Sequence, residues 1–270
     1  MSKYIYTHGG TFHADEVCAV AFLRLMLNEE IPVVRGFDPP TGDPEAIVLD
    51  IGDGEFDHHS EPRASRDLYG KEPYAAFGKI VKAYGPKFLS RDVLKRFDFE
   101  FVKDLDIQDN LGGEGLGHLH EFAQFIQRLN PTWNEEGTVN VNDRFEEAVT
   151  YAKRAIERKL VEINARLNAI NVARTYPNTP IVFLREKLPA STFTRKPAKL
   201  LITESERGGY NLVCVRRLQS DGGGFKVLIP DNIDYKGITF LHPSRHIATF
   251  ETQQDAFDAA HKVLGLEPPK

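Results

Sequence analysis

Two short stretches concentrate the residues that could do chemistry. Residues 7–16 read THGGTFHADE and supply His8, His13, Asp15 and Glu16. Residues 50–59 read DIGDGEFDHH and supply Asp50, Asp57, His58 and His59. Neutral imidazole with carboxylate is the ligand set of Zn, Mn, Fe or Co sites. One ion needs three or four ligands. These stretches offer more, and Asp106 and Asp109 follow farther along. Such a surplus fits two ions sharing one carboxylate, with paired ions ~3.5–4 Å apart being a standard device for phosphoester hydrolysis. Gly9-Gly10 permits close backbone approach beside them. Each piece alone has a plain alternative: a helix-capping acid, a solvated turn, or a solvated i, i+3 helix face at Asp106 and Asp109. Their conjunction, in chain order, points to a site.

The elements that must position these residues can be read from periodicity. Residues 3–7 form a strand, stopped by Gly9-Gly10, and residues 14–27 carry apolar positions at helical spacing with Arg24 on the opposite face. Residues 31–34 form a short strand, and residues 46–51 are a near-continuous apolar run, the pattern of a buried parallel strand. The order strand, helix, strand, loop, strand predicts an α/β domain with a mainly parallel sheet flanked by helices. Ligands of such sheets bind beyond the carboxyl ends of the strands. His8 and Asp50 both fall there. Helices are expected over 74–84, 91–110 and 118–129, with a polar loop over 62–73. A long amphipathic helix is expected from Asn142 to Ala173, capped by Asn142 or Asp143. After Pro177 short β-like runs follow (PIVFL, AKLLIT, YNLVCVRRL, GFKVLIP, GITFLHP), then a helix over 252–264. The expected organisation is a metal-binding domain at 1–141, a linking helix at 142–176 and a smaller α+β domain at 177–270.

Composition narrows the class. The 270 residues are 41% hydrophobic and 27% charged, ordinary for a globular protein. Arg24 interrupts the longest apolar run, so no membrane association is expected. No basic-then-apolar leader opens the chain, and two distant cysteines make neither a disulfide framework nor a thiolate metal site. A reducing, cytoplasmic setting is the default. The net charge of −5 divides unevenly: residues 1–142 carry −10 and residues 143–270 carry +5. That split suits cations in the first part and a polyanion in the second, though charge drift for solubility would give the same numbers.

Several other residues read as ordinary. His118 and His120 point to different faces, and Trp133 is expected to anchor a loop against the domain. The basic residues of KRAIERK alternate with glutamates on a solvated face. His242 and His246 are separated by a proline, which favours surface or substrate contacts over a metal site.

The ordered set THGGTFHADE, Asp50 ending an apolar strand, Asp57-His58-His59 and Leu105-Asp106-Ile107-Gln108-Asp109-Asn110-Leu111 resembles the DHH phosphoesterase superfamily. The first motif is most similar to its melanocyte-proliferating-gene (MYG) branch, and the resemblance extends through residues 183–189 and Phe240-Leu241-His242-Pro243-Ser244. It implies a DHH-type fold and a 3′→5′ exonuclease acting on RNA with two divalent cations, Mn²⁺ foremost and Mg²⁺ or Co²⁺ as substitutes. It implies His8, His13 and Asp50 on one ion, and Asp15, Asp50, His58 and either Asp106 or Asp109 on the other. His59 would contact the scissile phosphate, and Asp57 would orient a histidine. The chain departs from the family where a glycine-rich run becomes Arg245-His246-Ile247-Ala248-Thr249. Arg245 would there offer a guanidinium fork in place of backbone N–H groups. His242, Arg245 and His246 are therefore expected substrate contacts. Single-stranded RNA is the expected substrate, with small phosphate esters or a non-catalytic, metal-stabilised RNA-binding role as alternatives. A homodimer remains open.

Overall fold

A computed structural model describes residues 4–59, 64–69, 71–135 and 137–267. Part of the expected loop, residues 62, 63 and 70, lies outside the described residues. The chain divides into two compact units, Met1–Asn164 and Ala165–Lys270. Together they give a mixed α/β protein, with a parallel three-stranded sheet in the first unit and a separate mixed sheet in the second.

In the first unit β1 (Tyr4–His8) is followed by α1 (Ala14–Leu27), β2 (Val33–Gly36) and β3 (Ala46–Leu49). β1 is the central strand and pairs in parallel with both neighbours, Thr7 lying opposite Arg35 and Leu49. The three strands therefore end at one edge. His8 closes β1 there, and Asp50 follows β3 directly.

Helix α1 differs from the expectation in having no solvent face over most of its length. Its residues from Ala14 to Arg24 are all buried. Arg24 is buried because its charge is met. Its Nε donates to the Ile31 carbonyl at 2.9 Å, and its Nη atoms make a bidentate pair with Glu146 at 2.6 and 3.0 Å. Against α1 pack α2 (Ala76–Tyr84) and α3 (Arg91–Phe97), through Phe22, Phe77 and Phe97 with ring centroids 5.9–6.3 Å apart. Each such ring buries enough apolar surface that truncation to Ala costs about 3–5 kcal/mol.

The single helix expected over 91–110 is three pieces. α3 runs into a π-helical turn, Asp98–Val102, and then into α4 (Lys103–Leu116), which breaks from helical geometry at Gly112 (φ 64°). A π turn holds about one residue more than an α turn. α5 (Glu121–Gln127) is shorter than expected. α6 (Val141–Thr175) is the expected long helix, although the side chain that caps its first turn is Asn140, accepting from the Asn142 N–H at 3.0 Å. Trp133 is 89% exposed and does not anchor its loop.

The second unit has β4 (Ile181–Phe183), β5 (Leu200–Glu204), β6 (Tyr210–Cys214), β7 (Ile238–Leu241) and β8 (Ile247–Phe250), in the order β4-β5-β6-β8-β7. Only β4 and β5 are parallel. α7 (Gln253–Leu264), capped by the Thr252 hydroxyl, covers the apolar face formed by Leu200, Leu212, Ala248 and Phe250. The GFKVLIP run is not a strand and keeps one isolated bridge, Arg216 to Phe225. β8 takes the inner place that this run lacks. No helix among the described residues is long and apolar enough to cross a membrane.

Candidate metal centre

The carboxyl edge of the three-stranded sheet opens into a cavity of about 750 Å³. His8, His13, Asp15, Asp50, Asp57, His58, His59 and Asp109 all line it. Four elements bring most of them there. β1 delivers His8. The N-terminus of α1 delivers His13, Asp15 and Glu16, where acids also meet the favourable end of the helix dipole. β3 delivers Asp50, whose backbone is left-handed (φ 55°), a strained choice for a residue with a Cβ and one that clusters at functional sites. α4 closes the cavity with Asp109.

Asp50 sits at the centre. Its Oδ2 lies 3.4 Å from His8 Nε2, and its Oδ1 lies 2.8 Å from His58 Nε2. The two carboxylate oxygens thus face two different histidines. His8 Nε2 is also 3.1 Å from Glu16 Oε1, and His58 Nε2 is 3.1 Å from Asp109 Oδ2 and 3.8 Å from Asp15 Oδ2. Ligand atoms of His8, His13, Glu16 and Asp50 fall within 4.8 Å of one another. The same holds for Asp50, His58 and His59, and for His13, Asp15 and Asp109.

The donor set fits divalent cations, and buried atoms make the argument. Asp15 is 1% exposed and Glu16 is fully buried. Neither Asp15 oxygen has a hydrogen-bond donor among the described residues, and the same is true of Glu16 Oε2 and Asp50 Oδ1. His58 Nε2 approaches Asp50 Oδ1 closely but out of hydrogen-bonding alignment. Burying unsatisfied carboxylates is expensive. Atoms that converge without bonding to each other are what ligands of a shared ion look like.

The charges follow. Burial would lower the His8 and His58 pKa values, but the facing carboxylates win. Asp50 and Glu16 raise His8 to about 10, and Asp109 and Asp50 raise His58 to about 10. Burial likewise opposes ionisation of Asp50, yet His58 and His8 hold it at about 2. Burial, then Asp109, Asp50 and Glu16, push Asp15 well above the usual carboxylate range. A cation must displace the protons on His8 and His58, so Mn²⁺ binding at pH 8 should release protons, and apparent affinity should climb as pH rises toward 10. Calorimetry in two buffers of different ionisation enthalpy checks this. A heat independent of buffer would contradict it.

Asp57 is held against His59. It accepts from the Asp53 N–H at 2.7 Å and the His59 N–H at 3.1 Å, and its Oδ1 lies 2.7 Å from His59 Nδ1. His59 itself is open to solvent, its side chain 63% exposed. The carbonyl of Asp57 accepts from Lys79 Nζ.

Asp106 and Asp109 part company. Asp109 reaches the cavity. Asp106, fully buried, faces away from it, accepting from Arg66 Nη2 at 2.6 Å and from the Gly78 N–H at 3.0 Å. Burial pushes its carboxyl up to about 7, while Arg66 pulls against that. Arg66 also pairs with Asp98 at 2.7 Å. Gly78 must be glycine, because a Cβ there would meet Asp106 Oδ2 at 1.8 Å. Two residues at the centre have no role assigned to them from sequence alone. Glu16 accepts the His13 N–H at 2.8 Å, and its signal was the acid three places after a helix cap. Asn110 contacts His58, and no spacing rule marks it.

His242, Arg245 and His246 lie in the second unit. Ser244 Oγ sits 2.7 Å from His242 Nδ1 and 2.8 Å from His246 Nδ1, and Phe225 stacks on the His246 ring at 5.2 Å. Arg245 adopts φ 54° and approaches Asp231 at 3.4 Å.

Comparison with known proteins agrees with the first motif. The MYG1 exonuclease of Bos taurus is 28% identical over 243 residues, 76% of this chain and 58% of its own length. A MYG1 protein of Saccharomyces cerevisiae is 31% identical over 176 residues, covering 53% of this chain and 52% of its own. The human MYG1 exonuclease is 30% identical over 166 residues, covering 48% of this chain and 43% of its own. The chain spans about half the length of the curated relatives it matches. No solved structure matches it. The model of the MYG1_exonuc family, described as uncharacterised protein family UPF0160, matches residues 4–179, and by that match the chain belongs to the MYG1 family.

Proposed function

We propose that the chain is a two-metal phosphodiester hydrolase of DHH type, acting as a 3′→5′ exonuclease on RNA and releasing nucleoside monophosphates. The observation that carries the reading is Asp50, whose two oxygens face His8 and His58 separately, as a carboxylate shared between two ions would. The exonuclease names of the bovine and human relatives support it.

In this reading His8, His13 and Asp50 hold one cation, with Glu16 beside them. Asp15, Asp50, His58 and Asp109 hold the other. Asp106 is left out because Arg66 and Gly78 already claim it. Mn²⁺ is the preferred ion, with Mg²⁺ or Co²⁺ able to substitute. When bound, the pair supplies Lewis acidity to the phosphoryl centre. The chain's own residues do the rest. Asp57 fixes His59 through Nδ1, leaving Nε2 to meet a phosphate oxygen. Leu105, Leu119 and Ala123 give the cavity apolar lining beside its charged residues. Residues 177–270 would grip the strand through His242, Arg245 and His246, and the basic excess after residue 142 supports that assignment.

A second reading keeps the metals and changes the substrate to short oligonucleotides, bisphosphonucleosides or pyrophosphate. A cavity of about 750 Å³ is the size of a small-molecule site, which favours it. A denaturing-gel time course on 5′-labelled single-stranded RNA, with Mn²⁺ or with chelator, decides between them. A ladder shortening from the 3′ end in Mn²⁺ alone is the expected result. Inert long RNA with turnover of one- or two-nucleotide substrates would move the assignment to the second reading.

A further inference from the structure

Asn110 lies on α4, one residue past Asp109. Its Nδ2 donates to the Asp106 carbonyl at 2.9 Å. A carbonyl oxygen can only accept, so the amide NH₂ must face that way and the amide oxygen must face the other. That oxygen lies 3.1 Å from His58 Nδ1. An amide oxygen can only accept as well, so Nδ1 carries the proton of this contact. In the neutral ring Nε2 is then the nitrogen with the free lone pair. It is also the atom facing Asp50, Asp109 and Asp15 at 2.8, 3.1 and 3.8 Å.

We infer that Asn110 is a positioning residue that sets the His58 tautomer for cation binding through Nε2. The inference rests on the two-ion reading above. Metal-bound histidines commonly have the second nitrogen fixed by a carbonyl or carboxylate. Here the partner is a neutral amide, in a cavity where Asp15, Asp50 and Asp109 already crowd negative charge. The amide is itself anchored. Asp106, whose carbonyl it grips, is tied at its side chain to Arg66 and Gly78. An unbroken line of hydrogen bonds and backbone thus runs from Arg66 to the ligand nitrogen, all within the first structural unit.

The test is Mn²⁺ titration calorimetry on the full chain, with wild type, Asn110→Leu and Asn110→Asp compared. Nitrogen-15 spectra of the Zn²⁺-loaded proteins provide a readout independent of turnover. Asn110→Leu should weaken binding about 10- to 100-fold, and the protected His58 Nδ1–H signal should disappear. Asn110→Asp keeps an acceptor for Nδ1–H but loses the donor to the Asp106 carbonyl, so the protected His58 Nδ1–H signal should survive. Wild-type affinity in Asn110→Leu, or a wild-type His58 bearing its proton on Nε2, would overturn the inference while leaving the two-ion reading intact. A wild type that binds neither Mn²⁺ nor Zn²⁺ would overturn both.

Discussion

Asp50→Asn should reduce phosphodiester hydrolysis by at least about 10³-fold, about 4 kcal/mol of transition-state stabilisation, while the far-ultraviolet circular dichroism stays that of the wild type. The size follows from position. Asp50 offers one oxygen to the His8 side and the other to the His58 side, so its neutralisation weakens both halves at once. An amide is neutral, keeps an acceptor on one side only, and turns its NH₂ group to the other side, where a second cation would be held. The helices around it do not depend on that charge, because α1 and α2 are held by apolar contacts such as Phe22 on Phe77. Single-turnover hydrolysis at saturating Mn²⁺ is the measurement. A variant that remains folded and fully active would remove Asp50 from the chemistry and end the two-ion proposal.

The second large effect is on stability. Arg66→Met leaves Asp106 fully buried with its charge unmet, and breaking one side of such a pair costs about 3–5 kcal/mol. Arg66→Met combined with Asp106→Asn should recover much of this, since the asparagine oxygen can still accept the Gly78 N–H without carrying charge. The deficit has a pH signature. The Asp106 carboxyl already lies at about 7 with Arg66 present, well above its ordinary value of 3.8, and losing the guanidinium pushes it higher. A carboxyl with a raised folded-state pKa favours the native state fully at low pH and progressively less as pH rises toward that pKa. The single variant should therefore be hurt more at pH 8 than at pH 5. Thermal melts of both variants at the two pH values test the argument, and equal losses at both would refute it.

The parts of this molecule that were legible in sequence share one property: their partners are near in the chain or fixed by a general rule. His8 and Asp50 could be placed at one sheet edge because parallel strands deliver their carboxyl ends together. Asp57 and His59 are two residues apart, so their pairing is local. Asp106 and Asp109 could not be separated, being three residues apart on one helix face. What separates them is Arg66, forty positions earlier, reached only when the chain is folded. The burial of Arg24 was hidden for the same reason, since Glu146 lies far along the chain. Strand β8 was missed because four residues, IATF, carry little periodic signal beside the more apolar GFKVLIP run.

The π-helical turn at Asp98–Val102 has a consequence for how sequences of this family can drift. Each residue advances a helix by about 100°, so removing one residue here and restoring α geometry would rotate everything downstream by roughly that angle. Asp109 and Asn110 would swing out of the cavity although neither had been altered. Side chains in the turn can change with little effect on this phase, as exposed Phe99 illustrates. The spacing between the α3 contacts and Asp109 cannot. Across relatives, exposed positions of this segment such as Phe99 should tolerate substitution, whereas insertion or deletion should be tolerated hardly at all.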